Sequence, residues 1–251
     1  MSRGGGGEGA RAATPAVRTS DGSGSADSSG ASGAASGAEN KVPRVRRSPT
    51  ERRAQIALAA EAIAKEEGLD AVTLRAVAGR AGMTPALVAH HSESMDALVA
   101  TTFTAVVSVE LAEMQELARS DEHASVAEAL VAVLDGSIDV TRADVDLVWV
   151  HAWALGARNP LLAQAVREQS DAWREFLTTL IQRGVAAGEF ACADPRSVAA
   201  QVLSMIDGLN AHLLVSWQES DQRLFLLARS VEALVEAPQG TLTSLLHRGG
   251  V

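Results

Sequence analysis

Trp149 and Trp153 stand four residues apart, with Asp146 one helical turn before the first of them. At that spacing the two indoles share one face of a helix and can wall a pocket. Asp146, joined by the distant Asp207, supplies negative charge. Indole faces beside a carboxylate hold a cationic amine, such as a quaternary ammonium or a polyamine, through the ring quadrupole and the opposite charge. The same pair also suits a plain core contact, because Trp often anchors helix packing. On the sequence alone both readings stand.

Other chemistries find little support. No Gly-x-Ser-x-Gly elbow, convergent metal triad or phosphate-cradling loop falls in the patterned part of the chain, so an enzyme is not expected, and neither is a cofactor or a bound metal. His90, His91, Glu93 and Asp96 cluster in sequence. Adjacent histidines on a helix diverge by roughly 100°, however, unlike an i, i+4 pair. Gly30-Ala31-Ser32-Gly33 lies in low-complexity sequence with no strand before it and no apolar helix after it.

Charge is unevenly placed. The whole chain carries −9, yet residues 41–98 sum to +2 and residues 99–251 to −10. Lys41, Arg44, Arg46, Arg47, Arg52 and Arg53 crowd into 13 positions. A basic arm on an acidic body suits a protein that touches nucleic acid at one end only; a solvated linker is the blander reading. The single cysteine, Cys192, cannot form an internal disulfide. No apolar run is expected to reach membrane-spanning length, and the N-terminus lacks the apolar region of a secretory signal, so a cytoplasmic protein without a membrane partner is the expectation.

The elements that must position these residues are helical. Residues 1–40 are rich in Gly, Ser and Ala without apolar periodicity, and are expected to be a disordered tail. Ile56, Ala59, Ala60, Ile63 and Ala64 recur at helical spacing up to a stop at Gly68. Thr73 caps a short helix ending at Gly82, and Thr84 caps another with Pro85 at its first position. Ser94 opens a fourth helix towards Leu117. Five more are predicted near 124–140, 142–157, 159–187, 195–217 and 220–236. About nine helices and no sheet make this an all-α chain.

Leu74, Val77, Met83 and Leu87 can fill a core shared by the two short helices, while Gly82 supplies the tight turn between them. The ordered matches run further: Arg53-x-x-Ile56, Glu67-Gly68-Leu69, Thr73-Leu74-Arg75-x-Val77-Ala78, Ala81-Gly82-Met83-Thr84, Leu87-x-x-His90-His91 and Asp96-Ala97-Leu98. The segment from Arg53 to Val99 resembles the DNA-binding domain of TetR-family transcriptional regulators. Asp207-Gly208-Leu209, the two tryptophans and Gly188-Glu189-Phe190 are similar to the BetI-like branch.

The resemblance implies a three-helix helix-turn-helix domain within 41–98 and a helical body over 99–251 that binds a small-molecule effector and dimerises through residues 195–236. A palindromic double-stranded operator would be the partner. DNA contacts are expected from Thr73, Arg75, Thr84, Pro85, Ala86, Ala89, His90 and Ser94, with Arg44, Arg46 and Arg47 as an arm in the minor groove or along the backbone. Many relatives carry Tyr where this chain has Val88. Many also carry an aromatic and Gly-Ser-Lys where it has Ser92-Glu93-Ser94-Met95. The family's lysine at the position of Met95 is a phosphate contact, so this head should make fewer charge contacts. The function implied is a repressor released by an effector; the alternative is a ligand-binding or interaction protein with a weakened head.

Overall fold

Short polar residues start nearly every helix. In the computed structural model Ser48, Thr73, Thr84, Ser94, Ser125, Asn159 and Asp194 each accept a backbone N–H from the first turn that follows. Each thereby satisfies one of the amide donors that a helix leaves open at its N-terminus. Residues 48–217 and 220–247 are described. They form α1 (Pro49–Glu67), α2 (Leu74–Arg80), α3 (Pro85–His91), α4 (Met95–Leu117), α5 (Val126–Ser137), α6 (Ala143–Gly156), α7 (Pro160–Ala186), α8 (Pro195–Leu214) and α9 (Ser220–Leu234), with three short 3-10 turns. Among the described residues there is no strand. The expected helix ends fall within three residues of those observed. The expected disordered tail and the Arg44–Arg47 arm lie outside the described residues.

Two large apolar clusters, with a small third of Leu111, Met114 and Trp173, hold the helices. The first joins Ile56, Ala60 and Ile63 of α1 with Val77, Val88, Phe103 and Val107, and continues without a break into Val145, Val148 and Ala152 of α6. The second gathers Leu130, Val133 and Leu134 of α5, Leu177 and Ile181 of α7, Val198 and Val202 of α8, and Leu227 and Val231 of α9. The helix-turn-helix therefore shares its core with a helix of the body. Polar ties reinforce that junction. Gln55 donates to the carbonyl of Ala81 at 2.8 Å, and Asn159, while capping α7, donates to the carbonyl of Asp96 at 3.1 Å. His151 of α6 places its Nδ1 3.0 Å from Asp70 Oδ1 and covers Gly68, where a Cβ would collide with the imidazole.

α4 is long and apolar enough to cross a bilayer by length and mean hydropathy, although no such segment was expected. Its apolar residues Leu98, Phe103, Val106 and Leu111 are buried against other helices, as in a core helix. The interruption by charge that the sequence offers comes mainly from Glu110 and Glu113, too few to lower the average.

The Gly188-Glu189-Phe190 turn does structural work. Gly188 takes φ +74°, and the Glu189 carboxylate accepts the amides of Val126 and Ala127 at 3.0 and 2.8 Å, capping α5 from a distance. Phe190 lies over Gly184 of α7, where a Cβ would overlap the ring. Gly184→Ala should therefore destabilise the protein by about 1–3 kcal/mol, because a nearly buried ring must be displaced. Urea unfolding measures this; a loss under about 0.5 kcal/mol would mean that Phe190 moves aside freely.

Candidate functional site

The α6 sequence ADVDLVWVHAWALG splits into two working faces. Val145, Val148 and Ala152 enter the core shared with the helix-turn-helix, whereas Asp146, Trp149, Val150 and Trp153 line a cavity on the other side. The cavity is completed by Glu110 of α4, Trp173 of α7, and Leu203, Ile206, Asp207 and Asn210 of α8. All four residues singled out from the sequence, Asp146, Trp149, Trp153 and Asp207, are thus brought together. The core reading of the tryptophan pair also holds in part. Trp149 meets Phe103 edge-on at 4.9 Å and Trp153 at 5.8 Å, so it serves the core and the cavity at once.

Three carboxyls meet here, Glu110 and Asp146 buried and Asp207 half-buried. Burial raises the Glu110 carboxyl, which accepts Trp149 Nε1 at 3.3 Å. Asp146 is pushed up to about 7, first by burial and then by the charge of Glu110; Arg223 and a hydrogen bond from Asn210 pull the other way. Asp207 is pushed up to about 7 by burial and by Glu110. Asn210 Nδ2 donates to Asp146 Oδ1 at 2.8 Å and to the carbonyl of Ser137 at 2.9 Å. Asp146 Oδ2, Asn210 Oδ1 and Trp173 Nε1 are buried with no hydrogen-bond partner. Such groups cost free energy unless something joins them. The cavity volume is about 30 Å³. That is room for a water or so, so an organic ligand enters only if a wall moves. Trp153, more than a third exposed, is the outermost of the three indoles.

Glu110, Trp173 and Asn210 were not foreseen. Two of them had a signal: Glu110 interrupts the buried series Phe103, Val106, Val107, Leu111, Met114, and Asn210 continues Val198, Val202, Ile206 at four-residue steps. A polar residue on a buried stripe asks for a partner. A wider groove of about 810 Å³ lies between Ile138, Val140, Phe225 and Leu226. It opens to solvent and holds none of the four residues expected to bind a ligand. Enclosure and converging buried polar groups favour the smaller cavity.

The helix-turn-helix surface is simpler. Thr73, Arg75, Thr84, Pro85, Ala86, Ala89, His90 and Ser94 are all exposed. The three hydroxyls are engaged as helix caps. Val88 is fully buried in the head's core and Met95 packs against that core, while Glu93 stays exposed. His91 is half-buried, and burial, His90, Arg53 and Arg52 lower its pKa. Arg80 is paired with Glu66 of α1.

Residues 56–102 match the profile described as bacterial regulatory proteins, tetR family, and residues 139–236 match the BetI-type transcriptional repressor, C-terminal. The chain belongs to the TetR family of transcriptional regulators. Over 193 residues it is 25% identical to the HTH-type transcriptional regulator BetI of Klebsiella pneumoniae (strain 342), covering 73% of this chain and 92% of that one. A TetR-family structure from Rhodococcus sp. superposes with a TM-score of 0.63 at 21% identity, covering 74% of this chain and 99% of the other. A transcriptional regulator from Saccharomonospora viridis, solved in complex with choline, gives 0.60 at 20% identity, covering 73% and 96%. As a TetR-family member the chain is a DNA-binding, effector-responsive regulator.

The raised carboxyls set a direction for stability against pH. A carboxyl whose folded pKa lies above its unfolded value binds more protons when folded, so its contribution falls as pH rises from about 4 through about 7. Asp207→Asn removes that loss. The variant should therefore gain more in Tm over the parent at pH 8 than at pH 5, in the absence of ligand. Equal gains at both pH values would show that Asp207 does not titrate in the folded state.

Proposed function

We propose that this TetR-family regulator is a repressor that leaves its operator when a cationic amine fills the cavity between α4, α6, α7 and α8. The convergence of three carboxyls, two of them buried and one half-buried, with three indoles carries this reading. Cation–π attraction over desolvated indoles contributes about 2 kcal/mol, and ionised carboxylates add charge complementarity. The cationic ligand of the Saccharomonospora viridis protein supports the same class. The domain plan follows: residues 1–40 a tail, 41–98 the basic arm and head, 99–251 the effector-binding and dimerising body, working in the cytoplasm.

Thr73, Arg75 and the exposed face of α3, from Thr84 to His90, meet the operator. Ala86 and Ala89 offer only methyl contacts. Ser94, at the N-terminus of α4, holds a phosphate. Arg44, Arg46 and Arg47 supply the charge that Glu93 and Met95 withhold. Two heads are needed for a palindrome, and the homodimer forms through residues 195–236. Within one chain Leu227, Ala228 and Val231 of α9, and Val235 just after it, turn inwards, whereas Val215, Trp217, Phe225 and Leu226 are exposed and available to a second copy.

The alternative, an effector-binding protein with a weakened head, draws support from Glu93 on the surface and Met95 in the core. Mobility shift with the DNA upstream of the protein's own gene separates the two. A retarded complex at low salt that Arg75→Ala weakens about tenfold supports the repressor. No complex at low salt would favour the alternative. A cationic amine should dissociate the complex, reflecting a coupling of about 1–3 kcal/mol; dissociation by organic acids alone would refute the cation reading.

A further inference from the structure

We infer that the cavity recognises a slender dication whose ammonium groups carry N–H donors, a protonated primary or secondary diamine, in preference to a quaternary ammonium. The inference rests on the cavity being the effector site and names the ligand class more narrowly.

Three observations converge. Glu110, Asp146 and Asp207 come from three different helices, and no Lys, Arg or His lines the cavity with them. Arg223 acts on Asp146, but its described hydrogen bond runs to the carbonyl of Ile138 at 3.2 Å. A monocation would leave most of this carboxyl set uncompensated. Two separated positive centres match it better.

The second observation is the pair of orphaned acceptors. Asp146 and Asn210 are each more than nine-tenths buried, and Asp146 Oδ2 and Asn210 Oδ1 have no donor. The orientation of the Asn210 amide is fixed by chemistry. Its Nδ2 faces two acceptors, Asp146 Oδ1 and the Ser137 carbonyl, so exchanging nitrogen and oxygen would set three acceptors against one another. The oxygen therefore faces elsewhere and asks for a donor. An ammonium N–H supplies one to each acceptor, whereas a quaternary ammonium has no N–H to give. A site built to hydrogen-bond its ligand strongly rejects an analogue lacking those donors, because its own buried groups then stay unpaired.

The third is shape. A cavity of about 30 Å³ walled by Trp149, Trp153, Leu203 and Ile206 opens more readily for a linear alkyl chain than for a bulky trimethylammonium head. The methylene chain lies against the indoles and aliphatic side chains, and the charged ends reach the carboxyls. Trp173 Nε1, a buried donor without a partner, is left for a water or a hydroxyl on the chain.

Calorimetry with the full-length protein at pH 7.5 tests this with 1,4-diaminobutane, its fully methylated bis-quaternary analogue, butylamine and choline. The diamine should bind at least tenfold more tightly than each of the others. The methylated dication isolates the N–H donors, because its charge is the same. Asp146→Asn should weaken diamine binding at least tenfold, with circular dichroism confirming the fold. If that variant does not fold, the wild-type panel decides alone. Binding of choline or the methylated dication as tightly as the diamine would overturn the inference and leave the cation reading standing. Tight diamine binding unaffected in a folded Asp146→Asn protein would place the site elsewhere and overturn it as well. If no cation binds, both readings fall.

Discussion

Glu110 and Asp146 are buried and Asp207 half-buried at the meeting point of α4, α6 and α8, in a body whose buried residues are otherwise mostly apolar. Ionising three neighbouring carboxyls in such a place is costly; with no cation lining the cavity, burial raises all three, and Asp146 and Asp207, pushed up to about 7, stay largely protonated below that pH. That state is stable only while the cavity stays closed and empty of positive charge. A cation that enters trades protons for its own charge and gains indole faces as it does so. The tight packing of Trp149 between Phe103, Trp153 and Glu110 sets how much the walls must give.

α6 carries this local event outwards. One side bears Asp146, Trp149 and Trp153; the other bears Val145, Val148 and Ala152, packed in the same core as Ile63, Val77 and Phe103. His151 rests on Gly68, at the end of α1, and beside Asp70. Interiors packed this closely do not deform smoothly, so a shift of α6 is passed to the head rather than absorbed. Differential affinity for two arrangements of this junction is all that effector release of DNA requires.

Much of the fold was legible because its signals are local. Thr73, Thr84 and Ser94 cap helices where the sequence said they should, and Gly82 takes φ +62° at the turn. The high mean hydropathy of α4 is that of a core helix, because an average over a helix ignores where it is packed. In the cavity, Trp149, Trp153 and Asp146 were legible through their spacing on a single helix. Glu110, Trp173 and Asn210 were not, because their meeting depends on how four helices pack. The apolar residues Leu227, Ala228 and Val231 of α9 turn into the chain's own core, while Phe225 and Leu226 stay exposed. Periodicity identifies an apolar face without saying which neighbour covers it.

Proton release on ligand binding tests the central claim most directly. Calorimetric titration of 1,4-diaminobutane at pH 6.5, in two buffers of different ionisation enthalpy, counts the protons exchanged. Asp146 and Asp207, both pushed up to about 7, are mostly protonated at that pH. Binding should release about one to two protons per ligand, and the release should shrink at pH 8.5. Binding with no dependence on buffer at pH 6.5, or with proton uptake, would contradict a sensor built on buried carboxyls.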